Sequence, residues 1–158
     1  SYVDNRKCAY RKRFESCCTV EWQQVTDAYP PKFFDMMYNV YGLKKKDHAS
    51  SKRPQFFRHF IRKCVYFPLA HSRGAILELL DEKNPVVYSN GGRKYKLYHF
   101  LTKEIGIDAL RQHLWQVAGI GSVCRDRIQF DRVSCRAFPA AVPINYLWAM
   151  LSDVAVNT

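Results

Sequence analysis

No apolar run in this chain approaches the roughly 18 residues that a transmembrane helix needs, and no segment reads as a secretory signal. The chain starts at Ser1 rather than Met, which fits either residues preceding it or a first residue foreign to the natural chain. Cysteine is present, at Cys8, Cys17, Cys18, Cys64, Cys124 and Cys135, but no CxxC pair occurs. The Cys17-Cys18 doublet also lacks a second ligand pair at zinc spacing. Free, buried thiols in a reducing cytoplasm are therefore expected, with no metal and no other cofactor. Catalytic signatures are missing as well. There is no GxxxxGKS/T, no HExxH and no GxSxG, and the five histidines are scattered. The carboxylates form no metal-binding pattern that a nuclease would need. The chain is read as a non-enzyme.

Acid is also scarce. Fourteen Asp and Glu face 25 Lys and Arg, for a net charge of +11. An excess of this size points to a polyanionic partner: nucleic acid, an acidic membrane surface or an acidic protein. The excess is local. Residues 41–66 hold eight Lys and Arg against Asp47 alone, so +7 of the +11 sits in 26 residues. Hydrophobic content of 47% and aromatic content of 15% exclude a disordered tail, and 158 residues suffice for one domain with its own core.

Periodicity predicts a mainly helical (α+β) single domain over 1–158, with five to six helices and one β-hairpin. PPKFFDMMYNVYG gives a helix opened by Pro31 and closed by Gly42, with Phe33, Phe34, Met37, Tyr38 and Tyr41 as its apolar stripe. A second helix starts near Ser51, with Pro54 in its first turn, and stops at Pro68. It buries Phe56, Phe57, Phe60, Ile61, Cys64 and Val65 and carries Arg58, Arg62 and Lys63 mostly off that face. GAILELLDEKNP is a shorter helix from Gly74 to about Lys83. VVYSNGGRKYKLYHF changes period, and Asn90-Gly91 predicts a hairpin with Arg93, Lys94 and Lys96 on its second arm. Thr102 caps a short turn. Asp108 caps a helix to about Ala118 that buries Leu110, Leu114 and Val117. Residues 125–138 form a further helix with Ile128, Phe130 or Gln129, and Val133 near the core. INYLWAMLSDV is a last helix candidate. VEW at Val20–Trp22 fits either a strand or a helix lead.

Two elements carry charge in a form suited to a DNA groove: the helix from Pro54 and the hairpin. Lys44, Lys45, Lys46, Lys52 and Arg53 are expected to hold phosphates, an interaction that weakens steeply with salt. Arg58, Arg62, Arg93, Lys94 and Lys96 are the candidates for groove contacts, because base reading needs Arg, Lys, Asn or Gln on a rigid element. Lys63 completes the basic set. The phenylalanines of the first element follow helical spacing, so burial explains them better than stacking on single strands.

From Tyr66 onward, VYFPLAHSRGAILELLDEKNP, GRKYKLYHFLTKEIGIDALRQHLWQV and RIQFDRVSCRAFP carry a recurring pattern. Its positions include Leu77, Glu78, Leu79, Asn84 and Pro85, then Gly92, Arg93 and Lys94. Leu101, Thr102, Ile105, Gly106, Arg111 and His113 follow, and Arg136–Pro139 close it. Over about residues 22–139 the chain resembles a domain of unknown function found at the C-terminal end of phage and prophage proteins. The resemblance implies a DNA-reading module of the kind shuffled among phage regulators and homing endonucleases. Without a nuclease part, it implies a stand-alone transcriptional repressor like one from a phage satellite. Extra residues near Ser72-Arg73 and the tail after Pro139 depart from that pattern. The expected partners are duplex operator DNA and, for a two-fold site, a second copy of the chain. The rival readings are an inhibitor of an acidic protein and the DNA-targeting part of a homing endonuclease.

Overall fold

A computed structural model describes residues 2–25, 27–44 and 53–138. Six α-helices lie among them: α1 Tyr2–Lys12, α2 Pro31–Val40, α3 Gln55–Ile61, α4 Ala75–Lys83, α5 Gly106–Val123 and α6 Arg127–Ala137. The INYLWAMLSDV segment lies outside the described residues.

The 18-residue α5 is the central support. It packs against α2, against α6 and against the chain that follows α3. Leu110, Leu114 and Val117 face inward as their spacing predicts, and each is at most 2% exposed. Phe33, Met37, Phe57, Leu80, Leu101 and Phe130 close around them. Helix α2 begins with Pro31 at its first position and ends on Gly42 at φ +65°, where Leu43 N–H returns to the Tyr38 carbonyl at 2.9 Å. Its inward stripe is Phe33, Met36, Met37 and Val40, with Phe34, Tyr38 and Tyr41 half-buried at the flank.

Several elements differ from expectation. The cationic helix is α-helical only over Gln55–Ile61 and then widens into a π-helical turn, Arg62–Tyr66. Four residues past Cys64 stands Pro68, which has no N–H to give the Cys64 carbonyl, and the Nε2–H of buried His113 on α5 reaches that carbonyl at 2.8 Å. Phe57, Phe60 and Val65 are buried, whereas Phe56 stays exposed and packs on Tyr41, ring centroids 4.8 Å apart. Helix α5 starts before Asp108, because the Thr102 hydroxyl accepts the Gly106 N–H at 3.0 Å and supplies the cap. Asp108 lies within the first turn and accepts from Gln112 instead. In α6 Phe130 is buried, but Ile128 is 71% exposed. Gln129 serves a reciprocal cap: its N–H donates to Asp126, and its side chain accepts from Arg125 N–H. Residues 18–23 run extended beside 99–101, joined by Thr19 N–H to the Phe100 carbonyl and Gln23 N–H to the His99 carbonyl. Of the thiols, Cys17 is buried, Cys8 and Cys135 are exposed, and the rest are half-buried.

The hairpin does not form. Among the described residues there is no strand, only isolated bridges, and one of them pairs Val86 with Arg93. The turn itself is present: Gly91 takes φ +80° and its N–H reaches the Tyr88 carbonyl at 3.0 Å. In that register Pro85 would face Lys94, and Asn84 would face Tyr95. There the Asn84 side-chain amide takes the place of a strand backbone, donating to the Tyr95 carbonyl at 2.6 Å and accepting from its N–H at 3.4 Å. The backbone of Asn84 is occupied elsewhere. Its N–H closes α4 on Leu80, and its carbonyl accepts from the Arg93 guanidinium. Pro85, with no N–H, cannot extend the ladder either. The fold is mainly α, without the β component.

Two outcomes follow from this packing. A Cβ at Gly106 would collide with the Cys17 carbonyl and come within 2.9 Å of Leu101 Cβ, neither of which can swing away. Gly106→Ala is expected to cost about 1–3 kcal/mol, read as a lower urea midpoint with an unchanged slope. Burial lowers the pKa of His113 below the ordinary 6.5, so the folded state prefers the neutral ring. The unfolded chain then binds the proton first, and stability, complete above pH 6.5, should fall as pH drops through that value toward the folded pKa. His113→Gln should remove this component from a pH series of urea midpoints.

Candidate functional site

The cationic helix and the failed hairpin, nominated separately from sequence, are neighbours in the fold. One carboxylate joins them. Asp81 on α4 accepts two parallel hydrogen bonds from Arg62, at 2.9 and 2.7 Å, and a contact from Arg93 at 3.1 Å. Arg93 is held a second time by the Asn84 carbonyl, and its side chain is only 15% exposed. Burial lowers its pKa, an effect Asp81 opposes, and the guanidinium stays charged. From the outer side of α3, Arg58 donates to the Gly91 carbonyl and ties the helix to the tip of the turn.

Between these elements lies a cleft of about 480 Å³. Arg53, Arg58, Arg62, Arg93 and Lys96 line it, against Asp27 as the single acidic lining residue among the described residues. Its remaining wall is aromatic, chiefly Tyr29, Phe34, Tyr66, Tyr95 and Tyr98. Tyr29 and Tyr66 meet hydroxyl to hydroxyl at 3.3 Å, and burial raises the pKa of both, so both phenols are neutral. The Arg53 guanidinium sits over the Phe34 ring, 3.6 Å from its centroid, and the Lys96 ammonium lies 5.6 Å from that of Tyr98.

The nominated cations therefore divide. Arg62 and Arg93, nominated for groove contacts, are both engaged by Asp81 and line the cleft wall. Arg53, Arg58, Lys63, Lys94 and Lys96 are exposed, as is Lys44 beyond α2. Lys45, Lys46 and Lys52 lie outside the described residues. Sequence reading missed Asp27, Tyr29, Asp81 and the tyrosine wall, because they come from four separate stretches and share no spacing. The one available signal was Asn84-Pro85, read only as a helix stop. Among the described residues no helix is long and apolar enough to cross a membrane, and no three His, Cys, Asp or Glu gather as metal ligands. Burial pushes the Cys18 and Cys64 thiols up, to about 11 and about 12, so neither is a thiolate at neutral pH.

A family model, the p63C domain, matches residues 5–110, from within α1 to the first turns of α5. This is a phage-associated domain. The match begins earlier and ends sooner than the span 22–139 that the resemblance implied, so His113 and the closing RAFP fall beyond it. No curated protein and no solved structure matches the chain.

Asp81→Asn removes the charge that holds two guanidinium groups in place. With both partners about a third exposed or less, the expected loss is about 1–3 kcal/mol, measured by urea unfolding. The same variant should free Arg62 and Arg93 and increase the salt dependence of any anion binding.

Proposed function

The chain belongs to the p63C domain family, and on that premise we propose that it binds duplex DNA in a sequence-specific manner and acts as a transcriptional repressor in a phage or phage satellite. One observation carries the reading. Arg53, Arg58 and Arg62 from the basic stretch meet Arg93 and Lys96 in space, giving one basic surface from two segments. Surface charge of one sign on adjoining elements attracts phosphates and aligns a duplex before any base is read.

Arg53, Lys94 and Lys96 serve as phosphate contacts at the edges of this surface. Arg58 is the guanidinium on the exposed side of α3, where it can address a base edge. Arg62 and Arg93 act at one remove, holding α3 and the 93–96 segment at a set separation through Asp81. The phage association of the family fits a regulator of this kind.

Selection from a randomised duplex pool at about 150 mM salt with excess competitor is expected to enrich a motif. Arg58→Ala should then cost about 1–3 kcal/mol at one base position. Lys94→Ala and Lys96→Ala should weaken all sequences alike and reduce the salt slope by about 0.9 per lost contact. Retention without a motif would leave a non-specific grip. No retention would sink the DNA reading and direct attention to an acidic protein partner.

A further inference from the structure

The cleft between α3 and the 92–98 segment is a recess built from several stretches of chain, and its lining is not that of a simple phosphate grip. Cations alone would explain a bare anion, but most of its wall is aromatic and apolar. Its volume of about 480 Å³ lies within the range of sites that hold one small organic molecule, about 300–1,000 Å³. We propose that this cleft is a binding site for a single nucleoside phosphate, with the base against the tyrosine wall and the phosphate on the cations at the rim. This goes beyond duplex binding and does not rest on it.

Three observations converge. Tyr29 and Tyr98 are already edge to face, 5.9 Å apart, and Tyr95 adds an exposed ring at the same cleft. A planar heterocycle is the ligand that gains most from several ring faces. Arg53, Arg58 and Lys96 line the cleft and are exposed, so their donors are open to a ligand at its rim. A phosphate oxygen is the acceptor that best satisfies such donors. Asp27 is the single lining carboxylate among the described residues, oriented by the Tyr29 N–H at 3.2 Å. It is an acceptor for an exocyclic amine or a sugar hydroxyl, and a poor neighbour for a ligand that is all anion. The wall is also preorganised. The Tyr95 backbone is fixed at both its N–H and its carbonyl by Asn84, so the position of that ring does not depend on a ligand.

The nucleoside phosphate can come from a free nucleotide or from an unpaired nucleotide of a strand, and calorimetric titration of the full chain separates them. The probes are the four deoxynucleoside monophosphates, their nucleosides, inorganic phosphate and a short single-stranded oligonucleotide. At least one mononucleotide is expected to bind at least about tenfold tighter than its nucleoside and than phosphate, since each lacks one half of the contacts. Tyr95→Ala should weaken it by about five- to a hundredfold, while Tyr95→Phe, which keeps the ring, should bind as the parent chain does. Duplex retention should be unchanged in both. Binding of the oligonucleotide alone, lost in Tyr95→Ala and kept in Tyr95→Phe, would assign the site to strand nucleotides. Phosphate binding as tightly as every mononucleotide, or no binding by any probe, would overturn the proposal. Either result with duplex DNA still retained would leave the DNA reading standing. Mononucleotide binding without duplex retention would do the reverse.

Discussion

Asp81 faces two guanidinium groups that arrive from different parts of the chain, and much of the geometry of this protein follows from that arrangement. Arg62 leaves the π-helical turn after α3, and Arg93 leaves the chain just past the 88–91 turn. Two half-buried cations side by side repel each other and lose hydration. A carboxylate between them reverses the sign of the interaction, and its two oxygens meet the planar guanidinium edge to edge. The contact joins the end of α3, α4 and the 86–96 segment.

Asn84 performs a related task by other means. A residue with a short amide side chain, placed where a helix ends and a strand would start, offers the backbone an alternative to the ladder. It bonds both polar groups of Tyr95, so neither is left unpaired, and the chain turns away after a single bridge. The backbone polar groups near the turn are thus partly satisfied by side chains, among them Asn84 and Arg58. This explains how a good turn sequence with β-branched flanks ends without a strand.

These two residues change the functional meaning of the charge. In sequence, Arg58, Arg62, Arg93, Lys94 and Lys96 look equivalent. In the structure, Arg62 and Arg93 share one carboxylate and are held in place by it, while Arg58, Lys94 and Lys96 are exposed. The exposed charge comes from the second group, and the spacing of the elements that carry it from the first. The aromatic wall behind them adds a recognition chemistry that a charge count cannot express.

Much of the helical fold was legible in the chain. The α2 stripe with its Pro31 start and Gly42 stop, the buried face of α5 and the end of α4 at Asn84-Pro85 all depend on residues within a few positions of one another. Local steric and capping preferences act at that range, so they leave a periodic trace. The local excess of charge between residues 41 and 66 was visible for the same reason. The widening of α3 into a π turn, the earlier start of α5 on Thr102 and the loss of the hairpin to Asn84 were not visible. Each depends on a hydrogen bond or ion pair whose value is set by burial, and burial is a property of the packed chain. The cleft is the clearest case. Tyr29, Arg58, Asp81 and Tyr95 share no spacing, and only packing around α5 brings their surroundings together. Local sequence set most of the helical segments, α1 at Tyr2–Lys12 excepted, and the basic character of the protein. Packing alone set which cations are paired within the fold and which stay exposed, because a charge is committed only when a partner of opposite sign is brought within reach.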